Sequence, residues 1–280
     1  MFALAKQGLK TVLDVVGLSP AVHDLRNRIK YSLDDEPRGR NARFSQANAP
    51  DGLPMPPPYL IYLVTGQFDA ESFYQNGVLG AACVEQVLSR HGLEIHQFAR
   101  ILDFGCGCGR VIRQWRRLRQ SQVYGVDYNP RLINWCRSKL LFAEFAVNKS
   151  RASLAFPDGM FDFVYSISVF THLSESDQRF WMNELIRILS PGGYLLFTVH
   201  GTTVLDALNT AQREQFAKGE SIVFGSRYSK QNRCVTFHPA EYVEKALCRD
   251  LRLVTFEPGA AKDANQDSFL MQKPLRNERG

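Results

Sequence analysis

Asp103, Gly105, Gly107 and Gly109 fall at alternate positions directly after the apolar residues Ile101 and Leu102, and this spacing suits the binding of a nucleotide. Gly105 can take backbone angles closed to other residues, and Gly107 lets a ligand approach the main chain without meeting a Cβ. Gly109 is expected to open a helix whose unpaired N–H groups and positive dipole end face the same crevice. A dinucleotide fits poorly. Its fingerprint needs Gly or Ala in the sixth place, where this chain has Arg110. The Asp103 carboxylate disfavours a pyrophosphate and suits a nucleoside that carries a cation, such as a sulfonium with an ammonium-bearing tail.

Further residues with chemical potential follow. Asp127 ends the apolar run Val123-Tyr124-Gly125-Val126, where a carboxylate can receive two ribose hydroxyls. Tyr128 is placed to lie against a base, and Asn148, after Phe145-Ala146-Val147, to approach its edge. Ser168 follows the run Phe161 to Ile167 and joins the cofactor set. His200 ends the run Tyr194 to Val199, and His172 follows Ser168 by four residues. An imidazole at either place suits a general base near neutral pH, with His200 the first choice, His172 the second and His238 the third. No carboxylate pair stands beside Ile167 to hold magnesium, so metal-assisted transfer is disfavoured and no metal is expected.

These residues need strands to carry them and helices between. The runs ending at Phe104, Asp127, Val147, Ile167 and Val199 read as buried parallel strands. Asn129-Pro130 reads as an N-cap followed by Pro at the first helical position, and Glu175 to Leu189 as a helix before the turn Ser190-Pro191-Gly192-Gly193. Leu251 to Phe256 and Ser268 to Met271 read as two last strands, with helices expected over 203–218 and from Pro239 through Leu247. Over about residues 95–201 the order and spacing resemble the motifs of the class I S-adenosylmethionine (SAM)-dependent methyltransferases. The resemblance implies an α/β, Rossmann-like seven-stranded sheet in the order 3-2-1-4-5-7-6 with the last strand antiparallel, and SAM as cofactor. It assigns Asp103, Gly105, Gly107, Gly109, Asp127, Tyr128, Asn148 and Ser168 to cofactor binding.

Residues 70–280 are therefore read as the methyltransferase domain, with 221–238 an insertion on the acceptor side. A helix over 70–91 precedes the first strand, and Tyr74 and Gly77 on it are candidates to touch the cofactor. Residues 34–69 read as a Pro-rich, exposed linker. Residues 1–33 read as a basic amphipathic helical arm, with Phe2, Ala5, Leu9, Val12, Leu13 and Val16 at helical spacing and Val22, Leu25 and Ile29 continuing the pattern. Packing on its own domain or on a second subunit, as in a homodimer, is the preferred role; peripheral contact with an anionic membrane is the alternative.

A net charge of +6 raises the question of a nucleic-acid partner. Arg110, Arg113, Arg116, Arg117 and Arg119 account for much of it, and one expected helix would carry them on a solvated face. Nucleic acid is thus a secondary reading. Pro56-Pro57-Pro58-Tyr59 resembles a base-flipping string, but proline cannot supply the side-chain acceptor which that chemistry needs. Six cysteines without paired spacing read as reduced thiols of a cytoplasmic protein, and no apolar run reaches membrane-spanning length. The expected activity is methyl transfer from SAM to a hydroxyl of a small molecule or glycan. The alternatives are an RNA or protein methyltransferase using the basic surface, and a non-catalytic SAM-binding scaffold.

Overall fold

A computed structural model describes residues 19–46, 49–149, 151–225 and 234–275. The chain divides into two units, one up to Phe73 and one from Tyr74 onward.

In the first unit α1 (Ser19–Leu33), α2 (Asp35–Gln46) and α3 (Pro58–Thr65) gather around Phe68, on which the rings of Tyr31 and Tyr62 stack at 4.5 and 4.4 Å. The helix α2 corrects the expected linker. Its glycine, proline and charge read as breakers, yet Pro37 and the acids Asp35 and Glu36 stand in the first turn, where a missing N–H and negative charge are tolerated. Asn41 then anchors the helix. Its side chain donates to the Tyr31 hydroxyl and the Phe68 carbonyl and accepts from the Ala70 N–H. On α1 the inward residues are Asn27, which donates to the Tyr62 hydroxyl, and Tyr31. Leu25, Ile29 and Leu33 are exposed. The helix expected over 2–16 lies outside the described residues.

The second unit is built on a seven-stranded sheet. Its strands are β1 (Arg100–Phe104), β2 (Gln122–Asp127), β3 (Glu144–Val147), β4 (Phe161–Ser166), β5 (Leu189–Val199), β8 (Arg252–Ala261) and β9 (Gln266–Gln272), in the order β3-β2-β1-β4-β5-β9-β8. The strands β3 to β5 run parallel, and β9 is antiparallel to both neighbours, β5 and β8. This is the expected order 3-2-1-4-5-7-6, because β6 (Ile222–Phe224) and β7 (Val235–Phe237) form a separate hairpin. The central strands β1 and β4 are buried almost throughout, as parallel strands covered on both faces must be. The helices α4 (Ala70–Ser89), α5 (Pro130–Lys139) and α6 (Glu175–Ile188) match the expected ones closely, and Asn129 caps α5 by accepting from the Arg131 N–H.

Two helices differ from expectation. After Gly109 the chain forms a short 3-10 helix, Ile112–Arg117. Ile112 and Trp115, three residues apart, turn inward together, as the three-residue period requires. Arg113 turns inward too, over the Tyr74 ring, and Arg110 pairs with the buried Asp263. Arg110 and Arg113 therefore leave the expected solvated face and are structural, while Arg116, Arg117 and Arg119 stay exposed. The helix expected over 203–218 is split into a 3-10 segment, Thr202–Ala207, and α7 (Thr210–Ala217), because Asn209 and Gln212 build a capping box between them. Among the described residues no helix is long and apolar enough to cross a membrane.

Candidate functional site

Parallel strands deliver their carboxyl ends to one edge of the sheet, and a crevice opens where neighbouring strands lead away in opposite directions. Here that place lies between β1 and β4. Gly105, Gly107 and Gly109 follow β1 with φ of +85°, +57° and +84°, the left-handed region that favours glycine. The Gly105 and Cys106 N–H groups reach across to the Val126 carbonyl, so the turn is fastened to β2. Gly77 on α4 is required by packing, since a Cβ there would lie 2.0 Å from the Arg110 carbonyl oxygen; this and the contact of Tyr74 with Arg113 give both residues a supporting role.

Asp127 ends β2 beneath this turn. Its Oδ2 accepts from the Gly107 N–H at 3.0 Å and its Oδ1 from the Asn129 N–H at 2.8 Å. A carboxylate has about four acceptor positions, so each oxygen keeps capacity for a ribose hydroxyl. Burial pushes its pKa up to about 6, against the two N–H bonds that lower it. Asp103 is buried at the end of β1, and burial pushes it up to about 7. It accepts from the Tyr165 hydroxyl and the Ile112 N–H, and Tyr165 in turn accepts from Trp115 Nε1 at 2.8 Å. Nothing in residue type marks this Tyr165–Trp115 chain, because its members lie far apart and each reads as core. Tyr128 is 47% exposed beside Asp127, free to cover a base. The Asn148 N–H donates to the Asp127 carbonyl, which holds β3 in register at the same edge.

Ser168 stands at the end of β4 with φ +61°, unusual for a residue with a side chain. A closed ring of hydrogen bonds holds it. The Ser168 N–H donates to Thr198 Oγ1, the Thr198 hydroxyl donates to Gln266 Oε1, and Gln266 Nε2 donates to Ser168 Oγ, at 2.8, 2.6 and 2.9 Å. Such conformations persist where the surroundings over-determine them, commonly at ligand sites. Thr198 and Gln266 carry no mark in the sequence beyond their place near strand ends.

His172, His200 and His238 come together around β7. His172 Nδ1 lies 3.0 Å from the Cys234 carbonyl, the Thr236 carbonyl faces the His200 ring, and His238 Nε2 lies 3.0 Å from Gln178 Oε1. Burial lowers the pKa of all three, that of His238 to about 3. Asp267, fully buried, fixes the turn after His200 by accepting from Thr202 N–H and hydroxyl, the Thr203 hydroxyl and the Gly259 N–H. Among the described residues no cluster of His, Cys, Asp or Glu is arranged to hold a metal ion.

An open sheet of this order, with a glycine turn after β1 and an acid ending β2, defines a nucleotide-binding α/β domain of the methyltransferase type. Residues 102–197 match the methyltransferase domain family. A 2-methyl-6-phytyl-1,4-hydroquinone methyltransferase of Synechocystis sp. is 33% identical over 99 residues, 34% of this chain and 30% of that protein. A fatty-acid O-methyltransferase of Mycolicibacterium smegmatis is 37% identical over 102 residues, 35% of this chain and 36% of that protein. The chain thus spans about a third of the length of these two relatives. The crystal structure of an S-adenosylmethionine-dependent methyltransferase from Mesorhizobium loti superposes with a TM-score of 0.52 at 16% identity, covering 70% of this chain and all of that one, which shows the shared fold. Residues 102–197 thus match a methyltransferase domain, and the sheet around them has the fold of the class I SAM-dependent methyltransferases, whose cofactor is SAM. The residues present fit that group: a left-handed glycine turn without Cβ atoms and a buried Asp127 with acceptor capacity in reserve.

Two outcomes follow for the carboxylates. Asp127→Ala is expected to weaken cofactor binding by about 1.5–3 kcal/mol, the worth of hydrogen bonds to a charged group. Calorimetry with S-adenosylhomocysteine measures the loss, with the ligand-free melting temperature read beside it because the Gly107 and Asn129 N–H groups lose their acceptor; unchanged affinity would put Asp127 outside the site. The second concerns pH. Asp103 and Asp127 hold protons more tightly folded than unfolded, so their stabilising contribution is full below about pH 4 and is lost as pH rises through about 6 and 7. Ligand-free protein should therefore lose on the order of several kcal/mol from these groups across that window. Asp103→Asn should flatten the fall in chemical denaturation run from pH 4 to 8; an equal slope in the variant would show that Asp103 does not cause it.

Proposed function

We propose that the protein transfers the methyl group of SAM to an acceptor hydroxyl of a small molecule or glycan. The observation that carries this reading is the meeting of the Gly105–Gly109 turn with Asp127, with His172 on the 3-10 turn Phe170–His172 after β4 and His200 directly after β5. SAM supplies an activated methyl on a sulfonium, so the chain's task is alignment and removal of the acceptor's proton. In this reading Asp127 receives the ribose hydroxyls, Tyr128 and Asn148 border the base, and Asp103 and Ser168 face the amino-acid end. Gly105, Gly107 and Gly109 leave the main chain open to the ligand. His200 takes the acceptor's proton, with His172 second in line. Two relatives bear names of a hydroquinone and a fatty-acid methyltransferase and others of a malonyl-[acyl-carrier protein] O-methyltransferase, and these small acceptor groups support a small-molecule acceptor over RNA. The inward turn of Arg113 and the pairing of Arg110 with Asp263 also remove part of the basic surface that an RNA substrate would need.

Incubation of the protein and radiolabelled SAM with fractionated cell extract tests the reading. Label appearing in a small-molecule or glycan fraction supports it. Label confined to RNA or protein would contradict the acceptor class, and cofactor binding without label in any fraction would favour a scaffold.

A further inference from the structure

The helix α1 of the first unit turns a polar and aromatic stripe inward and an aliphatic stripe outward. Inward, Asn27 donates to the Tyr62 hydroxyl at 3.0 Å, and the Tyr31 ring stacks on Phe68 while its hydroxyl accepts from Asn41. Asn27 and Tyr31 are four residues apart, so they share one side of the helix, and their contacts fix its rotation. The outward side is thereby set. Leu25, Ile29 and Leu33 follow one another at four-residue steps and are 55%, 51% and 80% exposed. A surface helix ordinarily hides such a stripe and shows its polar side. Single exposed leucines are commonplace, but a contiguous apolar patch on one face is where proteins meet partners or membranes.

Cations border this patch on both sides. Successive residues of an α-helix are turned by about 100°, so Arg26 and Lys30 stand along one edge of the stripe and Arg28 along the other. All three are exposed. The Tyr59 ring holds Arg28 in place, 4.5 Å from its guanidinium. No acid interrupts the sequence from Leu25 to Leu33. Acids stand only beyond its ends, Asp24 before it and Asp34, Asp35 and Glu36 after it. At the second end Arg38 pairs with Asp35 and donates to the Ser32 carbonyl.

We propose that α1 docks on an anionic lipid surface. Leu25, Ile29 and Leu33 enter the boundary between headgroups and acyl chains, and Arg26, Arg28 and Lys30 meet the headgroup phosphates. An apolar stripe edged by Lys and Arg suits this, because each part acts on a different layer of the membrane. Long cationic side chains can reach the phosphates while the stripe between them is immersed. Charge decides against a second copy of the chain as the occupant. In a symmetric contact through this stripe, the cations of one copy would meet the same cations of the other. Three side chains also cover far less than the roughly 800 Å² per partner of a stable interface. Neither the cofactor nor the methyl acceptor enters this contact.

The test mixes the full chain with vesicles of equal parts phosphatidylcholine and phosphatidylglycerol and, separately, of phosphatidylcholine alone, and reads the bound fraction by sedimentation. Binding is expected on the anionic vesicles. It should be weaker by at least ~10-fold on the neutral ones, and weaker at ~0.5 M salt, where the cations are screened. Leu25→Glu with Ile29→Glu should lower binding at least ~10-fold, and so should Arg26→Glu with Lys30→Glu. Thermal melting checks the fold of each variant; where one loses its transition, Leu33→Glu, at the most exposed position, takes its place. No binding to either vesicle, as a protein partner for this face would give, would overturn the proposal. Equal binding to neutral vesicles, or unchanged binding in either variant, would do the same. So would a dimer in sedimentation velocity without lipid that Leu25→Glu with Ile29→Glu converts to monomer, since a second copy would then occupy the face.

Discussion

Gly107→Val is expected to abolish binding of SAM and S-adenosylhomocysteine. Gly107 has φ +57°, where a side-chain-bearing residue costs about 1–2 kcal/mol and a β-branched one is an outlier. Its N–H holds Asp127 Oδ2, and its carbonyl accepts from the thiols of Cys106 and Cys136 at 3.7 and 3.6 Å, so the peptide is fixed at both ends. A valine either turns this peptide, releasing Asp127, or stands where the nucleoside approaches. Both routes lead to a loss of at least ~100-fold, or ~2.7 kcal/mol. Calorimetry with S-adenosylhomocysteine reads the loss, and circular dichroism shows that the fold persists. Affinity near that of the unaltered protein would remove Gly107 from the site. Gly105→Ala makes a useful contrast. Its Cβ would lie 2.2 Å from Val169 Cγ2, so that variant should lose stability as well as affinity.

His200→Gln is expected to lower turnover by about 10²–10⁴-fold, the usual contribution of a general base, while the cofactor's Kd stays within a few-fold. The base must be neutral to accept a proton. Burial and the nearby His172 lower the His200 pKa, so activity should persist at mildly acid pH and fall only below the ordinary histidine range. That acid limb should disappear in the variant. Once an acceptor is in hand, pH–rate profiles of both proteins decide the matter. Full activity in His200→Gln and in His172→Gln would show that alignment alone drives the transfer.

The parts of the site that lie close in sequence were legible in it. The glycine turn, the strand ending at Asp127 and the Asn129-Pro130 cap each announce themselves within ten residues, and all three stand where expected. The sheet order followed from the family resemblance rather than from periodicity. What the sequence hid depends on contacts between distant strands. Gln266 and Thr198 are 68 residues apart and hold Ser168 in its left-handed conformation; alone, each is an ordinary polar residue on a strand. The Cys234 carbonyl that orients His172 belongs to the backbone and leaves no mark in residue type. The short helix after Gly109 was misjudged for a related reason. Arg113 reads as a solvent residue, but Tyr74 from α4 gives its guanidinium an aromatic face to lie on, and the expected amphipathic stripe is lost.

The central claim is that the turn from Asp103 to Gly109, with Asp127, holds a SAM-type nucleoside rather than a dinucleotide. Calorimetric titration of the full chain with S-adenosylhomocysteine and, separately, with NAD tests it most directly. Saturable one-to-one binding of S-adenosylhomocysteine and no heat from NAD is the predicted result. Tight binding of NAD with none of S-adenosylhomocysteine would contradict it.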